Sequence, residues 1–307
     1  MPSLLDKEFV IVAGKGGVGR TTISVVLGRA AANLGKRVLI CLSNAPRRYS
    51  DLLGGIVLGS SILQVTPLLS VVNLDPRASQ EEYGLQVLKN RTLHRLIFGS
   101  RIVRGFLDAV PGLAEWAMLG KATFHAMEMI GDEHRYDIVI LDSPATGHGL
   151  DILALPRAIV SAVPGGRMKD EALARCELME DPRRTEVLPV TVPEQIPVNE
   201  TIEFVRRLSG IGLHYERIVL NMMAPKAMSK ELEKFVEQTV SIADVPPWLV
   251  PAAAEFEIQR EKEENVIRLQ KEIGAPQIAL PLIPGGSLDE ASILLLVEAF
   301  AAGLGMR

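Results

Sequence analysis

The stretch FVIVAGKGGVGRTT (9–22) does most to narrow the folds open to this chain. Its first six residues are apolar or small and end on glycine, the pattern of a strand buried on both faces. Residues 20–34 then carry apolar side chains at helical spacing and stop near Gly35. RVLICL (37–42) follows as a second buried strand. Strand, glycine loop, helix and strand make one βαβ unit. Within it, Gly14 to Thr21 fits the phosphate-loop pattern G-x-x-x-x-G-K-[ST] except that Arg20 stands where the lysine belongs. Glycines at such a turn let backbone N–H groups curl around an anion, and the helix N-terminus adds its dipole. The predicted phosphate-binding residues are therefore Gly14, Lys15, Gly16, Gly17, Val18, Gly19, Arg20, Thr21 and Thr22. Thr21 also offers a hydroxyl to Mg²⁺. The expected ligands are ATP or ADP with Mg²⁺.

Further strands are expected at 68–75, 136–142, 185–193, 217–223 and 277–284, with helices near 150–180, 198–210 and 288–303. Residues 78–130 read as mostly helical, broken at Gly99, Gly105 and Pro111-Gly112. Alternating strands and helices predict an α/β fold: a doubly wound, mostly parallel sheet with helices on both faces. No repeat or low-complexity linker divides the chain, so residues 1–307 are read as one P-loop NTPase domain. Residues 78–130 are the candidate helical subdomain, with 227–273 a second possible insertion. The mixed-charge stretch 256–272 reads as a solvated helix face or a subunit contact.

Composition removes several functions. The formal net charge is −4, which argues against a nucleic-acid groove. The pairs Arg183-Arg184 and Arg206-Arg207 read as solvated surface. The two cysteines, Cys41 and Cys176, are scattered, so zinc and iron–sulfur sites are not expected. Neither a signal peptide nor an integral membrane segment is apparent, which predicts a cytoplasmic protein.

Lys15, directly after the first loop glycine in GKGG, marks the deviant form of the phosphate loop. Here the chain resembles the family of the arsenical-pump ATPase and the ATPases that target tail-anchored membrane proteins. That resemblance implies a dimer with nucleotide at its interface and Lys15 reaching across to the partner's phosphates. YDIVILDSPATGHGLDILALP (136–156) is similar to the family's second switch, although Ser143-Pro144-Ala145 places the proline one position early. By that match Asp142 is a second-shell Mg²⁺ partner, and His148 has either a switch role or a structural one. LDPRASQEEY (74–83) and VTVPEQIPVNET (190–201) match further family segments. The resemblance also implies that Asn221 contacts the adenine, that Pro284 opens the loop covering it, and that Glu194 senses the partner.

Two positions depart from the family's reaction centre. Counting back from Ser50-Asp51, Asn44 falls where the resemblance places the aspartate that activates water. A shift of one residue puts Ala45 there instead. An amide accepts a hydrogen bond from water but takes no proton. Arg20 replaces a compact charge with a planar, bulkier fork. The predicted catalytic set is thus Lys15, Arg20, Asn44 and Asp142, with impaired hydrolysis. Arg47 and Arg48 in the first switch either grip a phosphate, hold an acidic partner or face solvent.

Three functions stay open: a slow dimeric ATP-dependent switch with a protein client, a non-catalytic subunit paired with an active paralogue, and a partition-like positioning ATPase. The homodimer and the heterodimer with a paralogue both remain possible. The set Trp116, Met118, Phe124, Met127 and Met129 reads either as core or as an apolar client groove.

Overall fold

A computed structural model of the chain describes residues 3–43, 55, 58–88, 110, 112–225, 229–240, 247–285 and 288–306. The strands are β1 (Phe9–Gly14), β2 (Val38–Ser43), β3 (Leu63–Gln64), β4 (Leu69–Leu74), β5 (Met129–Ile130), β6 (Glu133–His134), β7 (Ile138–Asp142), β8 (Thr185–Thr191), β9 (Ile218–Met223) and β10 (Gln277–Pro281). The described helices are α1 (Arg20–Asn33), α2 (Pro76–Leu88), α3 (Leu113–Met127), α4 (Thr146–Ala162), α5 (Arg167–Glu180), α6 (Gln195–Gly210), α7 (Lys230–Val240), α8 (Val250–Ile273) and α9 (Glu290–Gly303).

Eight strands form one sheet in the order β10-β9-β8-β1-β7-β2-β4-β3. Every pairing in it is parallel except that of β3 with β4. The expected α/β architecture is therefore the observed one. Alternate residues of β1 serve opposite cores, as the period of two requires. Val10 and Val12 join α1 and α9 in one apolar layer. Phe9, Ile11 and Ala13 join α3, α4, α5 and α6 in the other. The continuous apolar runs of the central strands follow from burial on both faces. Pairing of β8 with β9 is confined to Val190 and Thr191, just past Pro189, whose ring has no N–H to give to a ladder.

Several details depart from the sequence reading. The hairpin β5–β6 turns at Gly131, whose φ of 64 is left-handed, and its first strand, β5, closes the stretch 78–130 read as mostly helical. The antiparallel strand β3 is equally absent from that reading. Two-residue strands carry no usable periodicity. Arg184 is not solvated surface: its guanidinium is half-buried and bonds Glu8 Oε2 at 2.7 Å. The stretch 256–272 does form a largely solvated helix within α8, where only Asn265 and Leu269 are buried.

Candidate nucleotide site

β1 lies between β7 and β8, so the segments that follow β1 and β7 emerge side by side from the same edge of the sheet. Register pairs Val12 with Asp142 on one side and Gly14 with Val190 on the other. Gly14 has to be glycine, because a Cβ there would stand 2.3 Å from the Val190 carbonyl oxygen. Gly16 and Gly17 are exposed, and a Cβ on either would meet nothing within 4 Å. Gly17 serves backbone freedom, since it takes a φ of 94. Gly19 caps α1 with a φ of 89, and a Cβ there would meet Asn221 Nδ2 at 2.4 Å. The first-turn N–H groups of α1 have no partner within the helix and open toward this loop. Val18 is buried and anchors the loop in the core.

Thr21 Oγ1 donates to Asp142 Oδ2 at 2.6 Å. Burial pushes the Asp142 carboxyl up to about 6, although the Thr21 hydrogen bond and the Arg20 charge pull it down. Asp142 Oδ1 is buried with no hydrogen-bond partner. A buried acceptor without a donor is costly and is the deficit that a metal-bound water would relieve. Thr21 and Asp142 therefore fit a Mg²⁺ site. Arg20 Nη1 donates to the carbonyl oxygen of Ser143, the residue directly after β7. Its guanidinium thus spans from the loop to the end of β7.

Lys15 Nζ sits 3.0 Å from Glu200 Oε1 in α6, an ion pair within one chain. Asn221 Nδ2 donates to the Val18 carbonyl at 2.9 Å. Its amide buttresses the loop, a different contact from the adenine contact implied by resemblance. Pro284 lies exposed in the turn after β10. Glu194 is exposed at the N-cap position of α6. Thr22 lies in the first turn of α1. The structure thus gathers Gly14 to Thr22, Asp142 and Asn221 around one loop. Asn44, Ala45, Arg47, Arg48, Ser50 and Asp51 lie outside the described residues, as do the side chains of Thr146, Gly147 and His148. Glu200 and Val190 were not singled out by sequence reasoning. The Glu200-Thr201 pair that ends the matched segment 190–201 was the available signal for the first.

Of the apolar set, Trp116 and Met118 are buried, whereas Phe124 and Met129 are about half exposed. Among the described residues no helix is long and apolar enough to cross a membrane, and no cluster of three or more His, Cys, Asp or Glu is placed to hold a metal. Cys41 and Cys176 are free.

Comparison with known proteins finds relatives along most of the chain. An "ATPase ASNA1 homolog" of Entamoeba dispar is 28% identical over 260 residues, covering 71% of this chain and 77% of that protein. A Paramecium tetraurelia protein, "ATPase ASNA1 homolog 2", is 25% identical over 288 residues, 79% of this chain and 86% of its own length. An "Arsenical pump-driving ATPase" of Escherichia coli is 25% identical over 245 residues, which span 73% of this chain and 40% of the pump protein. The sequence profile of the anion-transporting ATPases matches residues 7–165, from just before β1 through α4. The profile covers more than half of the chain, which therefore belongs to the anion-transporting ATPase family.

Proposed function

We propose that this member of the family is an ATP-binding dimeric switch whose hydrolysis is slow or absent. The observation that carries the reading is the bond from Arg20 to the Ser143 carbonyl. The cation at the lysine position of the phosphate loop is engaged by backbone of the neighbouring strand end. Gly14 to Thr22 form the phosphate cradle, and Thr21 with Asp142 would hold Mg²⁺. When bound, Mg²⁺ neutralises charge on the phosphate oxygens. By resemblance Asn44 stands where the family keeps its water-activating aspartate, and an amide takes no proton from water. Loss of one well-placed catalytic group costs on the order of 10²–10⁴ in rate, and two positions are altered here.

Single-turnover hydrolysis of ATP tests this. Arg20→Lys combined with Asn44→Asp should raise the rate by at least about 10² over the unmodified chain. A rate in the unmodified chain equal to that of the double variant would refute it. Nucleotide binding is a separate readout: ATP with Mg²⁺ should raise the melting temperature, because a ligand that binds only the folded state stabilises it.

Dimerisation enters through Lys15. Release from Glu200 would let it reach a partner's phosphates across a closed interface. The partner is a second copy or an intact paralogue, and sedimentation with and without ATP, alone and with the paralogue, decides between them. A protein client is the expected cargo, with Phe124 and Met129 the exposed members of the apolar set.

A further inference from the structure

Away from the phosphate loop, a cavity of about 350 Å³ opens between α2, α3 and α5. Arg175 in its wall is only 6% exposed. The guanidinium carbon sits over the Trp116 ring, 3.5 Å from its centroid. Its Nη1 is buried without a hydrogen-bond partner. The nearest carboxylate, Glu171, is 3.6 Å from Nη2, too far for a good hydrogen bond. That carboxylate already accepts from Arg167 Nε at 2.7 Å and from the Tyr83 hydroxyl at 3.2 Å.

A second carboxylate in the wall, Glu82, accepts from Lys121 Nζ at 2.9 Å. Among the described residues of the wall, each of the two acids makes its short bonds to groups other than Arg175, and Lys121, Arg167 and Arg175 outnumber Glu82 and Glu171 by one positive charge. His125 does not add to it: burial holds its pKa below the usual imidazole value, and its Nδ1 meets Glu128 at 2.7 Å. Ser79 supplies a second donor without an acceptor, its Oγ buried and unpartnered. Leaving a buried donor unmatched is costly, and more so when it is charged. Two unmatched donors in the wall of one cavity ask for an acceptor that carries a negative charge. The remaining wall includes Phe124 and Met127, which ask for an apolar body.

We propose that this cavity binds a small monocarboxylate with a short apolar chain. Its carboxylate accepts from Arg175 and Ser79, and its chain lies against Phe124 and Met127. The site is independent of the nucleotide reading. It would brace three helices that otherwise meet over unsatisfied groups.

Trp116 is one of two tryptophans, so Trp248→Phe leaves it as the sole reporter beneath Arg175. Octanoate titrated into that variant should give a saturable change in tryptophan fluorescence, and octanol, with the same chain and no charge, should not. Arg175→Met should weaken octanoate at least about tenfold. Ser79→Ala removes a hydroxyl that has no partner, so it folds as the parent does, and it should weaken octanoate by about three- to tenfold. Equal responses to octanol and octanoate, no saturable response, or an unchanged octanoate affinity in Ser79→Ala would each overturn the proposal.

Discussion

Asn221 and Val18 stand 203 residues apart in sequence and are joined by a 2.9 Å hydrogen bond that ties the end of β9 to the phosphate loop. Both residues are buried, so the bond has no water to replace it. Asn221→Ala should therefore cost about 1–3 kcal/mol in urea unfolding. It should also weaken ATP binding, because the loop loses its brace. Gly19→Ala should be at least as damaging. It forces a side chain into a left-handed φ of 89, a strain of about 1–3 kcal/mol, and drives a Cβ toward the same amide. A variant Asn221→Ala with unchanged stability but lost preference for ATP over GTP would instead assign this residue to base recognition.

The Lys15–Glu200 pair behaves differently because water reaches it. Its side chains are 33% and 39% exposed. Glu200→Gln should change the unfolding free energy by less than about 1 kcal/mol. Its effect should appear in binding: a freed Lys15 should raise ATP affinity at low ionic strength, with the gain shrinking as salt rises. Isothermal titration at two salt concentrations reads both quantities. Weaker ATP binding in Glu200→Gln would mean that Glu200 supports the loop instead of restraining Lys15.

At the opposite end of β8, Glu186 gives a pH signature. Its side chain is 1% exposed, near Lys7 at 3.9 Å and Arg217 at 3.1 Å. Burial pushes its carboxyl up to about 7, with Glu216 adding to the rise and the two cations opposing it. A folded-state pKa above the unfolded one means that the folded chain binds this proton more tightly. Stability contributed by Glu186 is therefore lost as pH rises from about 4.5 to about 7 and is constant above that. Relative to the parent, Glu186→Gln should gain about 2–3 kcal/mol of stability between pH 4.5 and pH 8. Urea denaturation of both proteins across that range checks the sign. A difference independent of pH would place the Glu186 pKa near its ordinary value.

The apolar set of α3 should split in two. Trp116 is 1% exposed, so Trp116→Ala should cost about 3–5 kcal/mol. Phe124 is 48% exposed, so Phe124→Ser should alter stability by no more than about 0.5 kcal/mol while reducing binding to hydrophobic probes. Parallel melting curves separate the two residues.

Most of the sheet was legible because its strands are buried on both faces and read as unbroken apolar runs. β1, β2, β7, β8 and β9 end within two residues of their predicted limits. The phosphate loop was legible because its glycines have single-residue reasons, seen at Gly14 against Val190 and at Gly19 against Asn221. Pairings between distant residues were not legible. Nothing in local spacing says that Lys15 meets Glu200, that Arg20 bonds a carbonyl beyond β7, or that Lys7 is wholly buried beside Glu186. Those contacts depend on which strands become neighbours, and strand order is not written in periodicity. Trp116 and Phe124 belong to one helix with one kind of side chain, and only the packing of α3 against the sheet separates core from surface.

The register of β1 with β8, from Phe9 opposite Thr185 to Gly14 opposite Val190, has a consequence for the order of assembly. The phosphate loop is translated first, yet one wall of its entry is a strand made much later, and its brace at Asn221 later still. A nascent chain that has emerged only as far as α5 holds the loop sequence without the backbone that shapes it. Nucleotide capture is thereby postponed until the second half of the sheet has docked. The long-range pairing that completes the cradle also makes folding slow, since distant segments must be brought together before their contacts repay the lost entropy. A bound nucleotide would then report a finished fold, and an early ribosome-bound intermediate would be blind to it.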